Sequence, residues 1–142
     1  MDKIQVFDND GIFFIKITSD SNYIFVGTST GNLKQLSFNK QEVTYDFGQL
    51  HENEISFMTL SPDDNYLLTG DDLGIIIRFD IKQHIGKKTV VNEEASLTSA
   101  CIIGDFAYIG DENSNLVKYS LNNSQIVDKW GDFYTGPIEC LI

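Results

Sequence analysis

Short apolar runs alternate with polar turn clusters along the whole chain. Ile12-Phe13-Phe14-Ile15 is followed by Tyr23-Ile24-Phe25-Val26, which Gly27 closes. Ile55, Met58 and Leu60 precede Ser61-Pro62-Asp63-Asp64-Asn65, a cluster of turn formers. Tyr66-Leu67-Leu68-Thr69 then ends at Gly70, Asp71-Asp72-Leu73-Gly74 makes a second turn, and Ile75-Ile76-Ile77-Arg78-Phe79 follows. Runs this short, rich in β-branched and aromatic residues and bounded by Gly, Asp and Asn, predict strands joined by tight turns. No stretch places apolar residues at helical spacing. The pattern therefore predicts an all-β fold.

The runs also repeat. Ile12 through Leu33 and Ile55 through Ile76 align without a gap, Gly27 on Gly70 and Gly31 on Gly74. A third unit runs from Leu97 through Ala100, Ile102, Tyr108 and Gly110 to Leu116, with a two-residue deletion before Gly110. A fourth starts at Ile138-Glu139-Cys140-Leu141-Ile142. A period of ~40–45 residues holding four short strands is the signature of propeller blades.

The second unit resembles the WD-repeat family of β-propellers. His51 stands where that family has the His of its Gly-His pair, Ser61-Pro62-Asp63 matches its Ser-Pro-Asp turn, Thr69-Gly70 its Ser-Gly, and Phe79-Asp80 its Trp-Asp. The other units are degenerate, with Leu36-Ser37 and Tyr119-Ser120 in the Trp-Asp position. The buried Asp that the family places just before the second glycine is replaced by Thr30, Leu73 and Asn113. The resemblance implies WD-repeat-type blades of four antiparallel strands in an incomplete ring. The blades would be residues 12–47, 55–91 and 97–130, with an orphan outer strand at 3–8 and the start of another blade at 138–142. It implies that the chain is a fragment of a larger propeller protein, or that a homodimer completes the ring. It also implies structural rather than catalytic work for His51, Thr69, Gly70, Phe79 and Asp80. The function that follows is a non-catalytic scaffold for binding other proteins. Residues 106–130, which end in Trp130, resemble a quinoprotein-type repeat as well, and a regulatory propeller segment of a multidomain protein is a further alternative.

Charge narrows the partners. Acidic residues number 21 against 10 basic ones, for a formal net charge of -11. Arg78 is the one arginine. Neither suits a nucleic-acid groove, which needs clustered Lys and Arg. An acidic rim steers basic partners instead. No run approaches the ~20 apolar residues of a membrane span, and no signal-peptide pattern opens the sequence. The expectation is a cytoplasmic protein without membrane contact. The acids cluster at turns, and Asp20, Asp63, Asp64, Asp71 and Asp72 are the candidate protein-binding residues. Asp111-Glu112-Asn113-Ser114-Asn115 starts like a calcium loop but has Leu116 where Gly is needed and Asn122 where Glu is needed. Cys101 and Cys140 lack metal-site spacing. Neither catalytic residues nor a cofactor or metal site is expected.

Overall fold

A computed structural model describes residues 5–7 and 10–131 of the chain. These residues form twelve strands in three four-stranded antiparallel sheets and no helix. The first sheet holds β1 (Ile12–Ile17), β2 (Tyr23–Thr28), β3 (Asn32–Ser37) and β4 (Glu42–Gln49). The second holds β5 (Ile55–Leu60), β6 (Tyr66–Asp71), β7 (Ile75–Asp80) and β8 (Ile85–Val90). The third holds β9 (Leu97–Ile103), β10 (Phe106–Asp111), β11 (Leu116–Ser120) and β12 (Gln125–Trp130). In each sheet the strands lie side by side in chain order, a meander. The segment expected at 138–142 lies outside the described residues. Compact units divide at Ile55.

In the first unit, the register sets Ile15 against Val26 and Ile17 against Ile24, then Val26 against Lys34 and Ile24 against Leu36. Side chains alternate across a sheet, so these six share one face. Val6 is buried there with Val26 and Leu36, and Phe7 and Ile24 pack on the same cluster. Lys34 fastens the segment down. Its Nζ donates to the Val6 carbonyl at 2.7 Å, lies 4.8 Å from the Phe7 ring centroid and faces Asp46 at 3.8 Å. Of the segment expected as an orphan outer strand, 3–8, Val6 and Phe7 lie on the sheet face, and Lys3, Ile4 and Asp8 are outside the described residues. Apolar burial and one ammonium hold Val6 and Phe7 there.

The second unit contains the main core. Phe57, Leu68, Ile76 and Val91 meet Leu97, Ala107, Ile109, Val117, Tyr119 and Leu121. The second and third sheets thus pack face to face. Burying each large side chain is worth ~1.5–3 kcal/mol. Arg78 crosses this junction in a buried position. Its guanidinium lies 4.7 Å from the Tyr66 ring, and Nη1 donates to the Leu121 carbonyl. At Gly70 a Cβ would run into the Phe57 ring, so only glycine lets β5 and β6 fit as they do.

Candidate functional site

The candidate acids belong to turns, and the turns engage the carboxylates of Asp20, Asp63 and Asp71. Asp20 Oδ1 accepts from Thr18 Oγ1 at 2.7 Å and from the Asn22 amide at 2.9 Å, while Oδ2 accepts from Asn22 Nδ2 at 2.9 Å. Asp63 repeats this. Oδ1 accepts from Ser61 Oγ at 2.6 Å and from the Asn65 amide at 3.1 Å, and Oδ2 from Asn65 Nδ2 at 3.0 Å. The Thr18 hydroxyl, and then the Asn22 amide, hold the Asp20 carboxyl below its ordinary value. Ser61 and the Asn65 amide do the same for Asp63. Hydrogen bonds to a carboxylate favour its charged form. Asp64 follows in the left-handed region at φ 59, as Ser21 does at φ 61 in the first sheet.

Asp71 and Asp72 lie elsewhere. They open the β6–β7 turn, at the end of the sheet opposite the β5–β6 turn that carries Asp63 and Asp64. No single rim gathers the acids of the second sheet. Asp71 is also buried, so it offers no surface for a partner. Its Oδ1 accepts from the amides of Leu73 at 3.0 Å and Ile75 at 2.9 Å. Asp111 does this in the third sheet, accepting from Asn113 and Asn115 at 2.9 Å each, and Thr28 Oγ1 accepts from Asn32 in the first. A buried carboxylate thus stands two positions before Leu73 and Asn113, where the sequence pattern placed it. Asp72 is half-buried. Its carbonyl accepts from Ser96 Oγ at 2.9 Å, and its buried Oδ1 has no partner among the described residues.

His51, Thr69, Gly70 and Phe79 are buried. Asp80 caps the β7–β8 turn, with Oδ1 accepting from Gln83 at 3.0 Å and its carbonyl from His84 at 2.8 Å. Ser37 and Ser120 do the same, accepting from Lys40 at 3.2 Å and Asn123 at 3.3 Å. Leu36, Phe79 and Tyr119 are all buried just before these caps. Gln41, His84 and Ser124 then turn the chain at φ 54, 56 and 54. The degenerate Trp-Asp positions therefore retain the mechanics of an apolar anchor followed by a short polar cap.

Sequence reasoning missed the acids on the connector between the second and third sheets. Glu93 and Glu94 are exposed on it. The connector is tied to the β10–β11 turn: the Ser96 amide donates to Glu112 Oε1 at 3.0 Å, the Glu112 amide to the Ser96 carbonyl at 3.0 Å, and Asn92 Nδ2 to Asp111 Oδ2 at 3.1 Å. Glu93, Glu94, Glu112 and Asp72 thus share one rim. The available signal was their place in a connector, outside the turns that repeat. A cleft of about 270 Å³ opens beside them, lined by Val91, Asn92, Asp111, Asn115, Val117, Lys129, Trp130 and Gly131. Among the described residues, no three His, Cys, Asp or Glu side chains converge so as to hold a metal ion.

No protein-family model matches the chain. A search of curated proteins also finds no match. Solved structures do match. The WD40 repeats in the crystal structure of RRP9 superpose with a TM-score of 0.81 at 13% identity, over 91% of this chain and 41% of that one. The structure of U3-55K gives 0.81 at 14% identity, over 92% of this chain and 42% of that one. This chain spans about two fifths of either. Its three sheets are three blades of the WD40-repeat propeller fold.

Proposed function

We propose that this chain is a non-catalytic protein-interaction platform and part of a larger WD40-type propeller in the cytoplasm. The observation that carries the reading is the superposition of its three blades on WD40 repeats. The step from that fold to binding is an analogy. Physical support comes from the turns. The carboxylates of Asp20, Asp63 and Asp71 are committed to backbone and side-chain donors, and those at Asp20 and Asp63 hold their charge more firmly than free ones. Rigid turns on a packed base reduce the ordering cost of binding.

The face we assign to the partner is the rim with Glu93, Glu94, Glu112 and Asp72. A Lys- and Arg-rich protein segment fits it by charge. Titration of the chain with a fluorescent Lys/Arg-rich peptide at low ionic strength tests this. Saturable binding should weaken with salt and in a Glu93→Gln/Glu94→Gln variant. An acidic peptide should not bind. If the two peptides bind equally, or the variant binds as the parent does, the assignment fails.

A further inference from the structure

The cleft beside the acidic rim has a charged floor. Asp111 is 2% exposed and lines the cleft together with Asn92 and Asn115. Its Oδ1 accepts from the amides of Asn113 and Asn115, and its Oδ2 from Asn92 Nδ2 at 3.1 Å and Asn115 Nδ2 at 3.0 Å. Oδ2, held by the two side chains of the lining, is the oxygen at the cleft. All four donors are neutral amides. Among the described residues, no cationic group lies within ion-pair distance of this carboxylate. Buried charges are ordinarily paired, so the floor suits a cation supplied from outside. The groups that would hold a metal ion do not converge among the described residues, which leaves an organic cation.

The wall and the mouth narrow that cation further. Val91 and Val117, both buried, supply an apolar wall, and Trp130 stands at the mouth, 37% exposed. The second blade shows that the repeat itself requires neither the aromatic ring nor the amide. Its register sets Thr89 against Ile76 where the third blade sets Trp130 against Leu116, and Ile75 stands where Asn115 does. The volume is about 270 Å³, below the ~300–1,000 Å³ of pockets for drug-sized ligands, and suits one long side chain.

We propose that the cleft takes a single arginine side chain of the partner segment, its guanidinium donating to Asp111 Oδ2 and stacked on the Trp130 indole. The assignment rests on the acidic-rim reading and names the residue that anchors the partner there. An indole face attracts a cation. A guanidinium stacks flat and keeps N–H donors in its plane for a carboxylate, whereas an ammonium is a compact, strongly hydrated point charge. The aliphatic stem runs along Val91 and Val117. Glu93, Glu94 and Glu112, on the same rim, draw the rest of the segment by charge. Of the lining residues only Lys129 is cationic. It opposes the incoming guanidinium and holds the affinity down.

Trp130 is the only tryptophan of the chain, so its emission reads the cleft directly. The probes are a basic peptide without aromatic residues, carrying lysine at every basic position, and a series with arginine in place of each lysine in turn. At least one arginine peptide should bind about threefold or more tighter than the lysine parent and shift the Trp130 emission. Trp130→Leu, altered at an exposed position, should abolish that preference when binding is read by anisotropy. Asp111→Asn, which keeps an acceptor for the turn amides, should abolish it too, and Lys129→Gln should tighten the arginine peptide. Equal binding of all the peptides overturns the proposal, as does a preference that survives Trp130→Leu or a Lys129→Gln variant that binds more weakly. Salt-dependent binding that falls in Glu93→Gln/Glu94→Gln but ignores arginine would sink the cleft and leave the rim reading standing. Failure of every basic peptide to bind would sink both.

Discussion

β1 and β9 are the innermost strands of two blades built on the same repeat, yet their fronts have opposite surroundings. Ala100 and Ile102 of β9 join a core that includes Leu68 and Ile76. Ile15 and Ile17 of β1 are more than half exposed. The sequence makes the bare strand the more apolar of the two. Hydrophobicity in a repeat therefore marks a position in the architecture, and the neighbouring sheet decides whether it is buried. Val6 and Phe7 show the same thing at small scale: two side chains and one ammonium cover part of a face that elsewhere is covered by a whole sheet.

The largest effect should come from breaking the covered side. Leu68→Ala removes a fully buried side chain at the junction and should lower stability by ~2–5 kcal/mol. Ile15→Ala, measured at a concentration where the chain is monomeric, should change it by less than ~0.5 kcal/mol. Urea denaturation of the two variants reads the difference. Equal losses would mean that the β1 front is covered in solution.

Glycine sharpens the comparison at the turn between the second and third strands of each blade. Gly31, Gly74 and Ser114 hold the same repeat position at φ 95, 79 and 67. A Cβ at Gly74 would run into the Asn92 carbonyl of the connector that crosses it, whose Val91 amide donates to the Gly74 carbonyl at 2.8 Å. Gly74→Ala should therefore destabilise by at least ~1–3 kcal/mol through overpacking and an unfavourable φ. Ser114→Gly relieves a left-handed residue bearing a side chain but empties a buried position, so it should change stability by less than Gly74→Ala does. The same denaturation series decides both signs. A stabilising Gly74→Ala would show that the connector does not press on the turn.

These positions also show what the sequence could and could not reveal. The blades were legible because turn residues recur in register with apolar runs, and turn chemistry is local. The cap at Asp80 was half legible. Its counterparts Ser37 and Ser120 looked like lost motifs, since the physical requirement is a buried side chain followed by a short acceptor, not a particular pair of residues. The burial of Asp71 and Asp111 was hidden. An Asp in a turn reads as solvated, whereas Asp111 meets Asn92 of a connector distant in sequence. The division of the acids between opposite ends of the second sheet is topological, so nothing in their clustering along the chain announces it.

The smallest expected effect concerns the first turn of each blade. Asp63 in the second blade is held by Ser61 and Asn65, whereas the third blade turns on Gly104-Asp105, with Gly104 at φ 59. The folded-state pKa of Asp63 lies below the ordinary value of an aspartate carboxyl. Such a group contributes stability above its unfolded pKa and loses it as pH falls through the folded value. The contribution is therefore complete at neutral pH and disappears only in strong acid. The group is largely exposed, so the effect on global stability is small, and it is better read locally. Carboxyl-carbon NMR titration should find Asp63 and Asp20 ionising at lower pH than a free aspartate. Ser61→Ala should move the Asp63 midpoint upward while leaving Asp20 unchanged, because the two turns share the same design but no atoms. A midpoint for Asp63 that ignores Ser61→Ala would remove the hydroxyl from its place as the main cause and leave the Asn65 amide to carry the turn.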